Sequence, residues 1–270
     1  MSSSEPGPRP GSSSELRGCT ILVTRASTQA GALTQSLARR GARVVEAPVI
    51  AFQDPSSWQH VDDAIARLNT YDWVIFTSAN AVERFTQRLR ALSGSVAALG
   101  RRGVFAIGQA TAEALRSHGV PGVMISSVSR AEGLLERLKA AGSPSGRRVL
   151  LPRAESAREL LPDELRRHGA VVDVVTVYRT VFIPVAREVL EMIDRGEIDI
   201  VAFTSGSTVA GLVSAVGDAG KLRGMILAAL GPITAEAIVE RGLSPGVVAA
   251  GAGVEQLAEA ISEAWRTRNL

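Results

Sequence analysis

Three kinds of residue in this chain have chemistry to offer. Tyr178, one of only two tyrosines, lies in the run Val175-Thr176-Val177-Tyr178-Arg179-Thr180. The alternation is that of a strand, with Tyr178 sharing one face with Thr176 and Thr180 and Arg179 on the other. A phenol of reference pKa ~10 stays protonated at neutral pH and can give a proton or a hydrogen bond to a departing group. Thr77 with Ser78, and Thr204 with Ser205, follow the apolar runs DWVIF and DIVAF and precede amphipathic stretches. Their hydroxyls can cap helix starts whose free N–H groups attract anions. Gly108 and Gly231 stand where strands break into helices, in Gly108-Gln109-Ala110-Thr111 and Gly231-Pro232-Ile233-Thr234. Glycine lets the backbone approach a ligand closely, and Thr111 and Thr234 add a hydroxyl three residues on. Arg25 and Arg153 come just past CTILVT and within RRVLLPR, at the strand edge where open α/β sheets bind ligands. A guanidinium pairs carboxylates bidentately there. Each residue also has a plainer reading: a tyrosine packing a domain joint, an ordinary N-cap, a tight turn chosen for packing, a solvated arginine.

Other chemistries find little support. His118 and His168 each precede a glycine at a helix end, where an imidazole suits the helix dipole and the glycine forms the cap. With His60 they make three scattered histidines without metal-ligand spacing, and no metal or organic cofactor is expected. Cys19 is the single cysteine; it opens a buried strand without the context of a nucleophile and has no partner for an internal disulfide. The run GAGVEQ from Gly251 opens a helix as a dinucleotide turn would, but Gln256 stands where the third glycine belongs. No phosphate-loop, nucleophile-elbow or zincin motif occurs. Lys and Arg number 30 against 27 Asp and Glu, scattered along the chain, so nucleic acid is not an expected partner. No window reaches the ~18 consecutive apolar residues of a membrane helix and no export signal opens the chain, which makes the cytoplasm the default compartment.

These residues need elements to hold them. From Cys19 onward, β-branched runs alternate with amphipathic stretches, the pattern of an α/β fold with mainly parallel sheets. The chain also repeats itself. Thr24–Val44 aligns with Pro152–Val172, FTSANAV from Phe76 with FTSGSTV from Phe203, and AIGQATAEAL from Ala106 with ALGPITAEAI from Ala229. A fourth pair joins AEGLLERL from Ala131 to GVEQLAEAI from Gly253. Two similar, duplicated domains are expected. Residues 47–55 and 174–184 are extended, β-branched and Pro-bounded at equivalent places after the first repeat block, as two connector strands would be. The expected division is therefore 18–48 plus 184–265 as a discontinuous first domain, 54–172 as the second, and 49–53 with 173–183 as connectors. Residues 1–17, rich in Ser, Gly and Pro, are expected to form a disordered tail.

The hydroxyl-bearing FTSANAV and FTSGSTV segments, the AIGQATAEAL and ALGPITAEAI turns and the segment VTVYRT together resemble uroporphyrinogen-III synthases, from about Gly18 to Trp265. The resemblance implies two α/β domains joined by a two-strand ladder, with substrate in the cleft between them. It implies a cofactor-free enzyme of tetrapyrrole synthesis that cyclises hydroxymethylbilane with inversion of the terminal pyrrole ring and loss of water. By the same resemblance the tyrosine of VTVYRT, Tyr178, faces the cleft and is the candidate proton donor. The remaining site candidates, Arg25, Thr77, Ser78, Gly108, Thr111, Arg153, Thr204, Ser205, Gly231 and Thr234, would hold an octacarboxylate substrate. A monomer without nucleic-acid or membrane partners is expected, its substrate handed over by the preceding pathway enzyme. The rival readings are a two-lobed ligand-sensing module without catalysis and a nucleotide-using enzyme built on GAGVEQ.

Overall fold

The computed structural model describes residues 15–25, 27–93, 95–126, 138, 142–157, 159–251 and 253–268, with 27–30 described for their backbone alone. The chain divides into two compact units, residues 1–51 with 181–270, and residues 52–180.

The first unit holds a five-stranded sheet. Its strands are β1 (Thr20–Val23), β2 (Arg43–Glu46), β9 (Ile200–Phe203), β10 (Ile226–Ala229) and β11 (Val247–Val248), ordered β11-β10-β9-β1-β2 with every pair parallel. In β1 and β9, TILV and IVAF are buried at every position, as strands covered on both faces must be. One face packs Ile21, Val23, Ile200, Ala202 and Ala228 against Leu33 and Leu37 of α1 (Ser27–Arg39) and Leu257 and Ile261 of the last helix (Val254–Arg268).

The second unit is built around a six-stranded sheet in the order β3-β8-β7-β4-β5-β6. Here β3 is Ile50–Gln53, β4 Trp73–Phe76, β5 Gly103–Ile107, β6 Met124–Ser126, β7 Arg148–Ala154 and β8 Val171–Phe182. The pairs β7·β8, β4·β7, β4·β5 and β5·β6 are parallel. Alternation along β4 sends Val74 and Phe76 into one core, with Val82, Phe85 and Leu89 of α3 (Ala79–Ser93) and Ala112 and Leu115 of α4 (Gln109–Ser117). Trp73 and Ile75 go to the other core, with Phe105, Leu161 and Leu165. The positions 82, 85 and 89 on α3 are the i, i+3, i+7 stripe by which a helix buries one side. Among the described residues the other α-helices are α2 (Gln59–Ala66), α5 (Leu160–Arg167), α6 (Arg187–Asp194), α7 (Gly206–Val216), α8 (Pro232–Val239) and α9 (Val254–Arg268).

The duplication is visible in the hydrogen bonds. Asp72 precedes β4, and its N–H donates to Arg148 O at 2.9 Å while its Oδ2 accepts from Arg148 N at 2.9 Å; Gly103 N then donates to Asp72 O at 3.0 Å. Asp199 precedes β9 and does the same, with N–H to Thr20 O at 3.0 Å, Oδ2 from Thr20 N at 2.8 Å and O from Ile226 N at 2.9 Å. In each unit one aspartate ties together three neighbouring strand starts.

Two expectations need adjustment. The tail ends earlier than residue 17, because Leu16 is buried in the first unit's core beside Cys19 and Ile21, and its N–H donates to Arg40 O at 2.9 Å. Residues 1–14 of that tail, and 131–137 of the fourth repeat pair, lie outside the described residues. The pleating assumed for β8 also fails at Tyr178. Pairing with β7 steps from Arg153↔Thr176 to Ala154↔Tyr178, so Val177 and Tyr178 together oppose a single residue. This β-bulge brings Val175, Val177 and Tyr178 into one apolar cluster, rather than leaving Tyr178 on a separate face with the threonines.

Candidate functional site

Parallel strands place their C-terminal ends at one edge, and the loops leaving them carry most of the candidates. In the second unit, Ser78 lies two residues beyond β4, Gly108 immediately follows β5, and Arg153 is the penultimate residue of β7. Ser78 begins α3: its Oγ accepts from Ala81 N at 3.1 Å, and its carbonyl accepts from Val82 N at 3.2 Å. The Tyr178 hydroxyl stands 3.3 Å from Ser78 Oγ, bringing together two side chains 100 positions apart. Phe52 meets the Tyr178 ring edge-on, with centroids 5.4 Å apart, and Glu155 N donates to Tyr178 O at 3.0 Å. Tyr178 is thus fixed on its ring, its backbone and its hydroxyl. The bulge aims it inward, and the cap serine meets it. Thr77 beside them is half-buried.

Arg153 is not a free guanidinium at the edge. It is 7% exposed and forms an ion pair with Glu159, which precedes α5. A substrate carboxylate reaching Arg153 would have to replace Glu159. Arg179, beyond the bulge, turns to the Asp54 carbonyl at 3.1 Å and Gln53 Oε1 at 3.4 Å.

In the first unit the same edge gathers Arg25 after β1, Thr204 and Ser205 after β9, and Gly231 after β10. Ser205 caps α7 in a reciprocal box: its Oγ accepts from Thr208 N at 3.3 Å, and Thr208 Oγ1 accepts from Ser205 N at 3.3 Å. Arg25 is half-buried, and that burial moves its guanidinium pKa down from the ordinary arginine value. Each edge therefore offers an arginine, a cap serine and a glycine turn at repeat-related positions. The tyrosine–serine pair belongs to the second unit.

The two glycine turns differ. Gly108 has φ 81° and ψ 157°, a region essentially closed to side chains, whereas Gly231 has φ −177° and ψ 178°, extended backbone open to any residue. A Cβ at either would meet open space, so only the backbone distinguishes them. Gly108→Ala is expected to cost about 1–3 kcal/mol. Gly231→Ala should stay within about 0.5 kcal/mol, both read from urea-unfolding midpoints. Equal losses at the two positions would contradict this reading of the turns. Both α4 and α8 start without a side-chain cap; α4 leaves first-turn N–H groups for other acceptors, whereas in α8 Pro232 has no N–H and Thr234 N donates to Gly231 O at 3.0 Å, which leaves the Ile233 N–H. Thr111 and Thr234, in those first turns, are only 4% and 5% exposed, which makes their hydroxyls less available than those of Ser78 and Ser205.

The remaining chemistry-bearing residues are structural. His118 and His168 occupy the C-caps of α4 and α5. His118 Nε2 lies 2.7 Å from Glu83 Oε2, and His168 Nδ1 lies 2.8 Å from Glu164 O. Cys19 is buried, and burial first, then the charge of Asp199, pushes its thiol up to about 12, far from a thiolate nucleophile. Among the described residues no cluster of three or more His, Cys, Asp or Glu could hold a metal ion, and no helix is long and apolar enough to cross a membrane. The aspartate pair at the strand starts was not singled out from the sequence, although DWVIF and DIVAF show it at matching positions.

Two duplicated parallel-sheet units, with hydroxyls and bare helix starts gathered at the C-terminal strand edges, define an α/β enzyme of the kind that binds a polar ligand at that edge. Residues 31–259 match the family model described as uroporphyrinogen-III synthase HemD. The chain belongs to the uroporphyrinogen-III synthase family, and is a cyclising hydro-lyase of tetrapyrrole biosynthesis. It is 32% identical over 227 residues to the uroporphyrinogen-III synthase of Synechococcus elongatus, covering 81% of this chain and 85% of that one. The uroporphyrinogen-III synthase of Chlorobaculum parvum is 26% identical over 250 residues, covering 92% and 99%. A crystal structure of a uroporphyrinogen III synthase mutant from Thermus thermophilus shares the fold, with TM-score 0.67, 21% identity and coverage of 92% and 99%.

Proposed function

We propose that the chain converts hydroxymethylbilane to uroporphyrinogen III, with Tyr178 as the proton donor to the departing hydroxyl. The observation that carries this reading is the 3.3 Å approach of Tyr178 to the cap serine Ser78. Ser78 Oγ accepts from Ala81 N, which fixes the serine side chain beside the phenol, and in the arrangement where Ser78 donates to the phenol oxygen the phenol proton is free for substrate. Loss of the hydroxyl gives an azafulvene stabilised by the pyrrole itself, so modest acid assistance suffices. The already substituted carbon of the terminal ring then attacks the azafulvene to give a spiro intermediate. That carbon's older bond to the neighbouring methylene breaks, that methylene closes onto the unsubstituted α-carbon of the same ring, and loss of the proton there leaves the ring inverted. Holding the bilane in that geometry carries most of the rate.

The substrate's carboxylates are held by neutral donors more than by buried cations, which avoids the desolvation cost of burying many charges. Ser78, Ser205, the first turn after Gly108 and the Ile233 N–H after Gly231 supply these donors. Thr77 and Thr204 lie at the margin, Thr111 and Thr234 require the first helical turns to yield, and Arg25 and Arg153 contribute charge. The working domains are 18–48 with 184–265, and 54–172, with 49–53 and 173–183 as connectors; the division after 51 and after 180 supports this. The enzyme acts as a cytoplasmic monomer, takes its substrate from the preceding enzyme, and needs neither metal nor organic cofactor.

The test is a coupled assay with bilane generated in situ, with the type I and type III products separated by chromatography. Type III is expected without added metal and with chelator present. Product no richer in type III than the uncatalysed reaction would overturn the proposal, and activity lost to chelator and restored by zinc would overturn the cofactor reading.

A further inference from the structure

The second unit carries another charged constellation, at the edge of the sheet where its strands begin. Tyr71 and Asp72 precede β4, Arg101 and Arg102 precede β5, Arg147 and Arg148 stand at the start of β7, and Asp173 lies near the start of β8. The parallel sheet puts this group at the opposite edge from Ser78 and Tyr178.

Two carboxylates there face more guanidinium than they can neutralise. Asp173 lies 3.8 Å from Arg67 and 3.7 Å from Arg148, accepts the Tyr71 phenol at 2.6 Å, and Asp72 takes Arg147 at 3.0 Å. The guanidiniums of Arg147 and Arg148 also sit over the rings of Trp73 and Tyr71, at 5.8 Å and 5.6 Å. Stacking and ion pairing thus account for these two. They do not account for Arg101, and Arg102 shares the Asp72 charge without a direct ion pair to it. Arg101 is exposed and makes no ion pair among the described residues, and Arg102 directs one N–H to the Tyr71 carbonyl at 3.3 Å. Among the described residues three buried side-chain polar atoms lack a hydrogen-bond partner, and two of them are Arg102 Nε and Arg148 Nε. Buried donors of this kind call for an acceptor. The Arg102 side chain, with Arg101, Asn69, Ala97 and Ala98, also lines a cavity of about 260 Å³.

We propose that this cavity binds a small multivalent oxyanion, a phosphate or polycarboxylate group, between Arg101 and Arg102. Planar guanidiniums match two oxygens of such a group at once, and a bound anion offsets the mutual repulsion of arginines crowded at one sheet edge. The site is independent of the tyrosine chemistry and gives the enzyme a second place to sense or hold an anion.

The experiment is calorimetric titration of the full chain with inorganic phosphate, and separately with citrate, at ionic strength held constant with sodium chloride. Saturable binding of at least one anion is expected, and the tighter of the two identifies phosphate or carboxylate as the preferred group. Arg101→Ala, at an exposed position that folding does not depend on, should weaken binding about tenfold or more, as loss of a charged hydrogen bond does. Arg102→Lys, which keeps the charge and loses the fork, should weaken it as well. Arg187→Ala, remote in sequence on α6, should leave it unchanged. Absence of saturation for both anions, or equal affinity in wild type and Arg101→Ala, would overturn the proposal.

Discussion

Tyr178→Phe is expected to lower turnover about 100-fold or more, the ordinary weight of a general acid, while leaving measurable activity and the type III product. Phenylalanine preserves the ring, so the edge contact with Phe52 at 5.4 Å and the apolar packing remain, and only the hydroxyl beside Ser78 is lost. Ser78→Ala should cost less. It removes the group that orients the phenol and the cap on Ala81 N, but the proton donor stays. Single hydroxyl removals at Thr111, Ser205 and Thr234 should cost least, since each takes one neutral hydrogen bond of about 1 kcal/mol from a set of many. The ordering is read from turnover and isomer ratio across the five variants. A wild-type rate for Tyr178→Phe would remove the acid role. A switch of that variant to type I product would make Tyr178 a steering contact instead.

The reasons why some of this could be read from the sequence, and some could not, are local. TILV, WVIF and IVAF are continuous apolar runs too short for helices and bounded by polar residues, so they leave little choice but strands covered on both faces. The glycine at 108 marks a strand-to-helix turn because the backbone there needs a positive φ, whereas Gly231 sits in extended backbone and is followed by Pro232 at the helix start. The bulge at Val177–Tyr178 gives no such signal. Val-Thr-Val-Tyr alternates without fault, and the extra residue appears only when β8 is paired with the shorter β7, whose chain turns away after Ala154. Arg153 read as a free cation because Glu159 lies beyond a turn that spacing does not foretell. Leu16 stands among polar residues, and its burial beside Cys19 and Ile21 leaves no periodic signal in the sequence. The Ser78–Tyr178 contact joins residues 100 positions apart, and only the strand order of the second sheet brings them together.

Asp199→Ala and Asp72→Ala should each lower stability by about 2 kcal/mol, the weight of a hydrogen bond to a charged acceptor that leaves a donor unmet when it is lost. The larger loss belongs to Asp199, since Thr20, whose N–H it accepts, is buried. Asp72 has a third of its side chain in water and two arginines nearby, which screens its share. The bonds to neighbouring strand backbones made by the two residues' own N–H and carbonyl groups survive either substitution, so the sheets should stay intact while their strand starts loosen. The partners of one aspartate are not shared with the other, so the double variant should lose the sum, about 4 kcal/mol or some 8 to 16 °C in Tm for a chain of this size. The pH dependence separates charge from shape. The Arg148 backbone N–H, with Arg147 behind it, holds the Asp72 carboxyl below the usual carboxylate value. A depressed pKa stabilises the fold above the unfolded-state value and loses that effect as pH falls through the folded one. Wild type should therefore exceed Asp72→Asn in stability at neutral pH, and the gap should close once pH drops well below about 4. Unfolding midpoints in urea across that range provide the measurement, and a gap that persists unchanged in acid would show that the charge of Asp72 contributes nothing.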